Sequence, residues 1–463
     1  MEFGIITAIL VIVIYILLVA LLWKNGILDK LHISAVGPLL MFKTRRGVAL
    51  LDRLARHERF FRWYGNVALG IVLFFMVLQV ALFIWLIPAT LQAPLSTALG
   101  PEMIIGLPGI NPIIPIGYGI IGLIVAIVAH ELSHGVLARV AKVPVKSMGV
   151  VLFVVPIGAF VEPDEEHFKQ MTRRNRARLH AVGPATNILL ALMFAGIFSL
   201  GFMGSVEPVE EGVVVDYVLK DYPAEKAGLK PWALITEIVI PNGTGVDARI
   251  RNREEFTGIM ERTAAGENIT ITFLYRGTHY TRTAVLVDKY EHLQKYDNAS
   301  NSKEFRGKGF LGVGTMSADT VSSTLAHPIN YGSVGKFIGG VSYYMALPFG
   351  GLQPMESPMT DLYHVTGPLS GLPTGLFWII ANMFYWLFWL NVVVGTFNAL
   401  PIPILDGGVI FKDGLDSLIQ RARPLWDAEK RARRAMLIYR ATGIIMVILL
   451  AMLFLGPRIG ALF

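Results

Sequence analysis

Six apolar runs constrain this chain more than any other feature. Residues 3–23, 66–88, 116–140, 182–203, 375–399 and 435–455 are each long and apolar enough to cross a bilayer as a helix. A helix satisfies its own backbone hydrogen bonds, which lipid cannot do for it. The chain has 463 residues, of which 54% are hydrophobic and 16% charged; soluble domains average about 45–50% and about 25%. Its formal charge is +7, and the placement of the basic residues explains that excess. Lys24, Lys30, Lys43, Arg45, Arg46, Arg53, Arg56, Arg59 and Arg62 crowd between the first two runs, against Asp29, Asp52 and Glu58. This is the positive-inside pattern, so residues 24–63 are expected on the cytoplasmic side and the N-terminus outside. A nucleic-acid partner is therefore not expected. The first run has no basic residues before it and is longer than a signal-peptide core, so it reads as a retained span.

The remaining segments fall into place around these runs. Residues 48–62 alternate Leu50, Leu51, Leu54 and Phe61 with basic residues, which suits an amphipathic helix on the membrane surface. Residues 89–115 suit an outer loop. Residues 147–162 are apolar but short, and Pro156 and Gly158 break them; a β-hairpin or re-entrant segment packed on protein is expected. Residues 163–178 and 411–434 read as basic cytoplasmic loops. Between residues 205 and 316 charges of both signs return, and residues 212–217 and 268–274 read as strands of a small soluble domain outside the membrane. Residues 317–373 are weaker; residues 337–351 are expected to be interfacial or re-entrant. The expected fold is mainly α, with about six transmembrane helices, a re-entrant β segment and one inserted soluble α+β domain. The expected divisions are 1–65, 66–204, 205–316, 317–408 and 409–463, with both termini and the inserted domain outside the cytoplasm.

The third run ends in AIVAHELSHGVLA, which contains His130, Glu131 and His134, the H-E-x-x-H pattern. Residues four apart share a helix face. Two imidazoles one turn apart suit a tetrahedral zinc ion, and the adjacent Glu131 can accept a proton from water. The chain has no cysteine, so a third ligand must be His, Asp or Glu. Asp406, in the stretch ALPIPILDGG, lies at the inner end of the fifth run, at the depth expected of His134. A carboxylate at that depth is costly unless paired or metal-bound; the bland reading is a cytoplasmic Asp-Gly turn. His167 sits among acidic residues and reads as solvated, and His180 as interfacial. His32, His57, His279, His292, His327 and His364 have no partner pattern.

HELSHG on an apolar helix, GPATN opening the next run, a soluble insertion and then FNALPIPILDGG resemble the site-2 protease family of intramembrane zinc metalloproteases. The resemblance implies zinc held by His130, His134 and Asp406, Glu131 as general base, and Asn187 near the reacting peptide as a possible donor to its carbonyl or backbone. Read from the residues alone, Asn187 serves equally as a helix-to-helix hydrogen-bonding group. EGVVV followed by YPAEKAGL resembles a PDZ domain of bacterial proteases, with Trp232 and Ala233 where Gly-Asp is usual. That resemblance implies peptide capture along a strand edge. The implied activity is hydrolysis of peptide bonds within transmembrane protein substrates in the lipid bilayer of the cell membrane, with zinc as cofactor. A catalytically silent scaffold that binds peptides through the inserted domain is the alternative, and a transporter is disfavoured by the lack of repeats.

Overall fold

A computed structural model describes residues 2–31, 33–45, 47–95, 98–104, 106–240, 247–296, 302–327, 333–349 and 355–462. His32 and the end of the 337–351 stretch lie outside the described residues. The chain divides into two compact units, Met1–Ala195 with Tyr385–Phe463, and Gly196–Phe384.

The first unit opens with α1 (Glu2–Lys24) and the short α2 (Ile27–Lys30), then β1 (Ile33–Val36) and β2 (Leu39–Thr44). The basic segment between the first two apolar runs therefore contains a hairpin. Its turn is Gly37-Pro38, with Gly37 at φ +60°, which supplies the left-handed residue that a two-residue hairpin needs. Next come α3 (Val48–Ala55) and α4 (Glu58–Gln92). The expected surface helix over 48–62 thus stops at Ala55, and the span begins eight residues earlier than its apolar run, because Glu58 to Arg62 continue the helix with an i,i+4 ion pair. Leu51 of α3 is fully buried in a cluster with Val136, Leu137 and Val140.

The H-E-x-x-H helix is α5 (Ile116–Val140), with the bounds the sequence suggests. Pro115 at its N-cap is extended, and proline without an N–H costs nothing there. The expected hairpin over 147–162 forms as β3 (Val145–Phe153) and β4 (Val155–Pro163). It belongs to a four-stranded antiparallel sheet of order β1-β2-β3-β4, with Leu40 opposite Leu152 and Met148 opposite Val161. Then follow α6 (Glu165–Lys169) and α7 (Arg173–Gly196), the latter beginning inside the stretch read as a loop.

The second unit is built from β5 (Val206–Pro208), β6 (Val213–Val218), α8 (Pro223–Lys226), β7 (Leu234–Val239), β8 (Asp247–Arg249), α9 (Arg253–Met260), β9 (Asn268–Tyr275), β10 (Thr278–Val285), β11 (Val287–Asp288), α10 (Lys289–Tyr296), β12 (Gly309–Phe310), β13 (Val313–Ser317), α11 (Ala318–Ala326), α12 (Val334–Ala346) and β14 (Tyr363–Val365). Its main sheet runs β10-β9-β7-β6-β13, with β8 against β7. Val213 and Val215, Ile235 and Ile238 (across an irregularity in β7), and Ile269, Ile271 and Phe273 enter one core with Phe256 and Ile259 of α9. Trp232 takes φ +67°, where glycine is favoured, at a strain of about 1–2 kcal/mol. The turn is tight all the same: Trp232 donates its N–H to Val215 O at 2.8 Å, and Ala233 donates to Lys230 O at 3.0 Å.

The first unit then resumes along α13 (Thr374–Asn398), α14 (Asp406–Ala422) and α15 (Ala428–Gly460). The stretch 411–434, read as a loop, is mostly helix. Gly407, Gly408, Ile410 and Asp413 face inward. Among the described residues, five helices are long and apolar enough to cross a membrane, namely α4, α5, α7 with its continuation to Ser205, α13 and α15. Phe74, Val77 and Trp85 on α4 and Ile444 and Val447 on α15 are exposed, as expected of faces solvated by lipid.

Asp413 is nearly buried and receives two hydrogen bonds from Arg176 of α7, Nε to Oδ2 at 2.8 Å and Nη2 to Oδ1 at 2.5 Å. Removing one partner of a buried pair leaves the other charge unsatisfied. Arg176→Met should therefore destabilise the protein by about 3–5 kcal/mol, read as a lower unfolding midpoint in detergent.

Candidate metal centre

Residues 130 and 134 lie one turn apart on α5, as their spacing requires, and Asp406 is the first residue of α14. Asp406 Oδ2 lies 3.0 Å from His130 Nε2 and 3.2 Å from His134 Nε2. The three ligand-type atoms all fall within 4.8 Å of one another. The expectation that these residues come together is met in the geometry.

The protonation of the rings follows from what lies behind them. His134 Nδ1 is 2.7 Å from Leu179 O; a carbonyl only accepts, so Nδ1 carries the hydrogen. His130 Nδ1 is 2.7 Å from Asn187 Oδ1. The Asn187 amide nitrogen donates to Ala126 O at 2.8 Å and to Asn391 Oδ1 at 2.9 Å, and Asn391 Nδ2 donates to Leu387 O at 2.7 Å. Asn187 Oδ1 is therefore an acceptor, and His130 Nδ1 is its donor. In the neutral rings both Nε2 atoms then present lone pairs toward a carboxylate oxygen. Two imidazole lone pairs facing one carboxylate oxygen at 3.0 and 3.2 Å repel it unless a proton or a metal cation lies between them. Tetrahedral ligands on zinc, with bonds of about 2.0–2.1 Å, sit about 3.3 Å apart, so the donor set fits that ion.

One glycine makes the approach of α7 possible. A Cβ on Gly183 would lie 2.7 Å from His130 Nε2 and would also collide with His134 Nε2. Gly407 does the same for α14, where a Cβ would strike Ala399 O. These close approaches explain the glycines of GPATN and LDGG without any appeal to flexibility.

Glu131 lines the same cavity. Its Oε2 accepts the backbone N–H of Val161 on β4 at 3.2 Å. A cavity of about 370 Å³ is bounded by His130, Glu131, His134 and Asp406, with Val161, Leu179, His180, Asn398 and Ile404 among its other walls. It sets titratable groups beside apolar side chains, the usual character of a reactive site.

Two further polar side chains of α7 lie close to these residues. Asn187 is fully buried, and its amide is engaged with His130, Ala126 and Asn391. It is not among the residues that line the cavity, and its amide oxygen lies behind His130. Asn187→Leu should weaken metal binding about 10–100-fold, measured by competition with a chelator. His180, read as interfacial, instead lies with Nδ1 2.7 Å from Asp406 Oδ1. Its signal was present in the spacing: His180, Gly183 and Asn187 recur at i, i+3 and i+7 along one face of α7. His167, in contrast, is half exposed and pairs with Asp164 across the N-terminus of α6, as a solvated histidine should. The N–H groups of His167 and the ammonium of Lys146 hold the Asp164 carboxyl below its ordinary range.

Comparison with known proteins gives the same direction. A model of peptidase family M50 matches residues 118–449. An uncharacterised protein of Methanocaldococcus jannaschii is 30% identical over 183 residues, 38% of this chain and 48% of that protein. The metalloprotease MmpA of Caulobacter vibrioides is 25% identical over 282 residues, 55% of this chain and 62% of MmpA. The zinc metalloprotease RasP of Oceanobacillus iheyensis is 25% identical over 267 residues, 57% and 56% of the two chains. The match thus spans about half to three-fifths of each of these relatives. With five helices suited to crossing a membrane, this chain is an integral membrane protein, and it belongs to peptidase family M50, the site-2 protease family that its HELSHG, GPATN and LDGG stretches resemble.

Proposed function

We propose that the protein is a zinc-dependent intramembrane metalloendopeptidase that cleaves peptide bonds within or near transmembrane segments of other proteins. The observation that carries this reading is the convergence of His130 Nε2, His134 Nε2 and Asp406 Oδ2 beside Glu131 in one cavity. His130, His134 and Asp406 would hold the ion. When bound, zinc supplies Lewis acidity, which acidifies water and polarises a carbonyl. Glu131 takes the proton from the attacking water and returns it to the leaving amine. Val161 N–H holds one carboxylate oxygen of Glu131, which leaves the other for that proton.

A helical substrate hides its backbone in its own hydrogen bonds, so it must unwind before cleavage. The strand β4 ends the four-stranded sheet on the side of Glu131, and an extended peptide can add to that edge. Val161 N–H points away from β3, toward Glu131, and Ala159 N–H points the same way two residues earlier. Ala159→Pro removes that donor without a loss to β3 and should lower kcat/KM about tenfold, the value of one hydrogen bond, with zinc content unchanged.

The finer membrane layout belongs to the same reading. With α1 as a sixth span, the basic segments before α4, before α7 and around α14 share the cytoplasmic side of the cell membrane. The metal centre then lies near that side, and residues 205–316 lie outside as a PDZ-like domain. Support for peptide capture there comes from β13, the end strand of its sheet, which faces α9 across a groove of about 490 Å³ lined by Phe256, Met260, Leu311 and Val313.

The test is reconstitution in liposomes with single-span substrates. Cleavage inside the spanning segment, abolished by Glu131→Gln, is expected; cleavage confined to soluble peptides contradicts the proposal.

A further inference from the structure

The three groups proposed to hold the ion share a feature: each is held from behind by α7. Leu179 O fixes His134, Asn187 Oδ1 fixes His130, and His180 Nδ1 lies 2.7 Å from Asp406 Oδ1. The first two contacts orient imidazoles. The third has a different task, because a carboxylate at this place has a competing position. Asp406 is the first residue of α14, whose N-cap, Leu405, makes no side-chain capping bond. Aspartates at helix starts commonly turn back to accept their own helix's free N–H groups. Here both carboxylate oxygens are directed elsewhere, Oδ2 to His130 and His134 and Oδ1 to His180.

We infer that His180 is a positioning residue which, by donating Nδ1–H to Asp406 Oδ1, holds the carboxylate as a one-oxygen ligand facing His130 and His134. The inference rests on the reading of Asp406 as a ligand. A carboxylate oxygen left unpaired in this largely buried cavity would be driven to bind in two-oxygen fashion or to cap α14; either changes the number of positions left for water and substrate. The ring is itself fixed. Phe168 packs against it in a T-shaped pair with centroids 6.0 Å apart, and the His180 side chain is only 18% exposed. The Arg176–Asp413 pair stands one turn away on α7 and holds α14 at the same interface, so the His180–Asp406 distance does not depend on the side chains alone.

The experiment compares zinc affinity of the full-length protein in detergent, by competition with a chromophoric chelator, for wild type, Asp406→Ala, His180→Phe and His180→Asn. His180→Phe keeps the ring packing and loses the donor. His180→Asn keeps an N–H at the place of Nδ1. A support residue of this kind should cost about 10–100-fold in affinity when lost, so His180→Phe should fall by that factor and His180→Asn should recover most of it. Zinc affinity of His180→Phe equal to wild type overturns the inference, as does His180→Asn binding as weakly as His180→Phe. Should His180→Phe fail to fold, His180→Gln takes its place, since its amide sits where Nε2 does and cannot reach Oδ1. Equal zinc affinity of wild type and Asp406→Ala would instead remove Asp406 from the ligand set, and the inference with it.

Discussion

Glu131→Gln is expected to lower cleavage of a membrane-embedded substrate by about 10²–10⁴-fold while zinc content stays at the wild-type level. The substitution keeps the shape of the side chain and its ability to accept the Val161 N–H, so folding and the local sheet are preserved. What it removes is proton acceptance. Glu131 is not among the three converging ligand atoms, which is why metal content and activity should separate. The measurement is single-turnover cleavage in liposomes alongside elemental analysis of the same preparation. A variant that loses zinc and activity together would mean that Glu131 supports the metal instead.

Gly183→Ala is expected to have an effect of comparable size by the opposite route. The added methyl would stand 2.7 Å from His130 Nε2 and against His134 Nε2. Neither ring can yield easily. His130 is fixed to Asn187 and His134 to Leu179 through their other nitrogens, both on the same helix as Gly183. The rings or α7 must shift by several tenths of an ångström, so zinc affinity should fall by about 100-fold or more, and activity with it. Folding of the second unit should be untouched. Retention of wild-type zinc affinity in Gly183→Ala would show that α7 does not approach the ligands as described.

Much of this arrangement could be read from the residues because its signals are local. The helix α5 begins after Pro115 and ends near Lys142, and the apolar run between them leaves little choice of bounds. Asp406 was reachable from depth alone, as an acid at the inner end of an apolar run. The hairpin β1–β2 was harder. Its basic flanks suggested a solvated loop, and its pairing partner β3 lies over a hundred residues later. The helix α14 was hidden for a related reason: charged residues dominate its composition, and its narrow buried side is made of two glycines, Ile410 and the charged Asp413. Asn187 and His180 show the limit most clearly. Sequence identifies them as polar residues on an apolar helix, but only packing decides whether such a group faces a substrate or the back of a ligand. Asn187 faces His130, and His180 faces Asp406.

The most direct test of the central claim is X-ray absorption at the zinc edge of the purified protein. The absence of cysteine excludes thiolate scattering from the chain and simplifies the reading. The account predicts nitrogen and oxygen neighbours only, at about 2.0–2.1 Å, with scattering from two imidazoles that changes in His134→Ala and in Asp406→Ala. A shell of about six oxygens without imidazole scattering, or a spectrum unchanged by both substitutions, would contradict it.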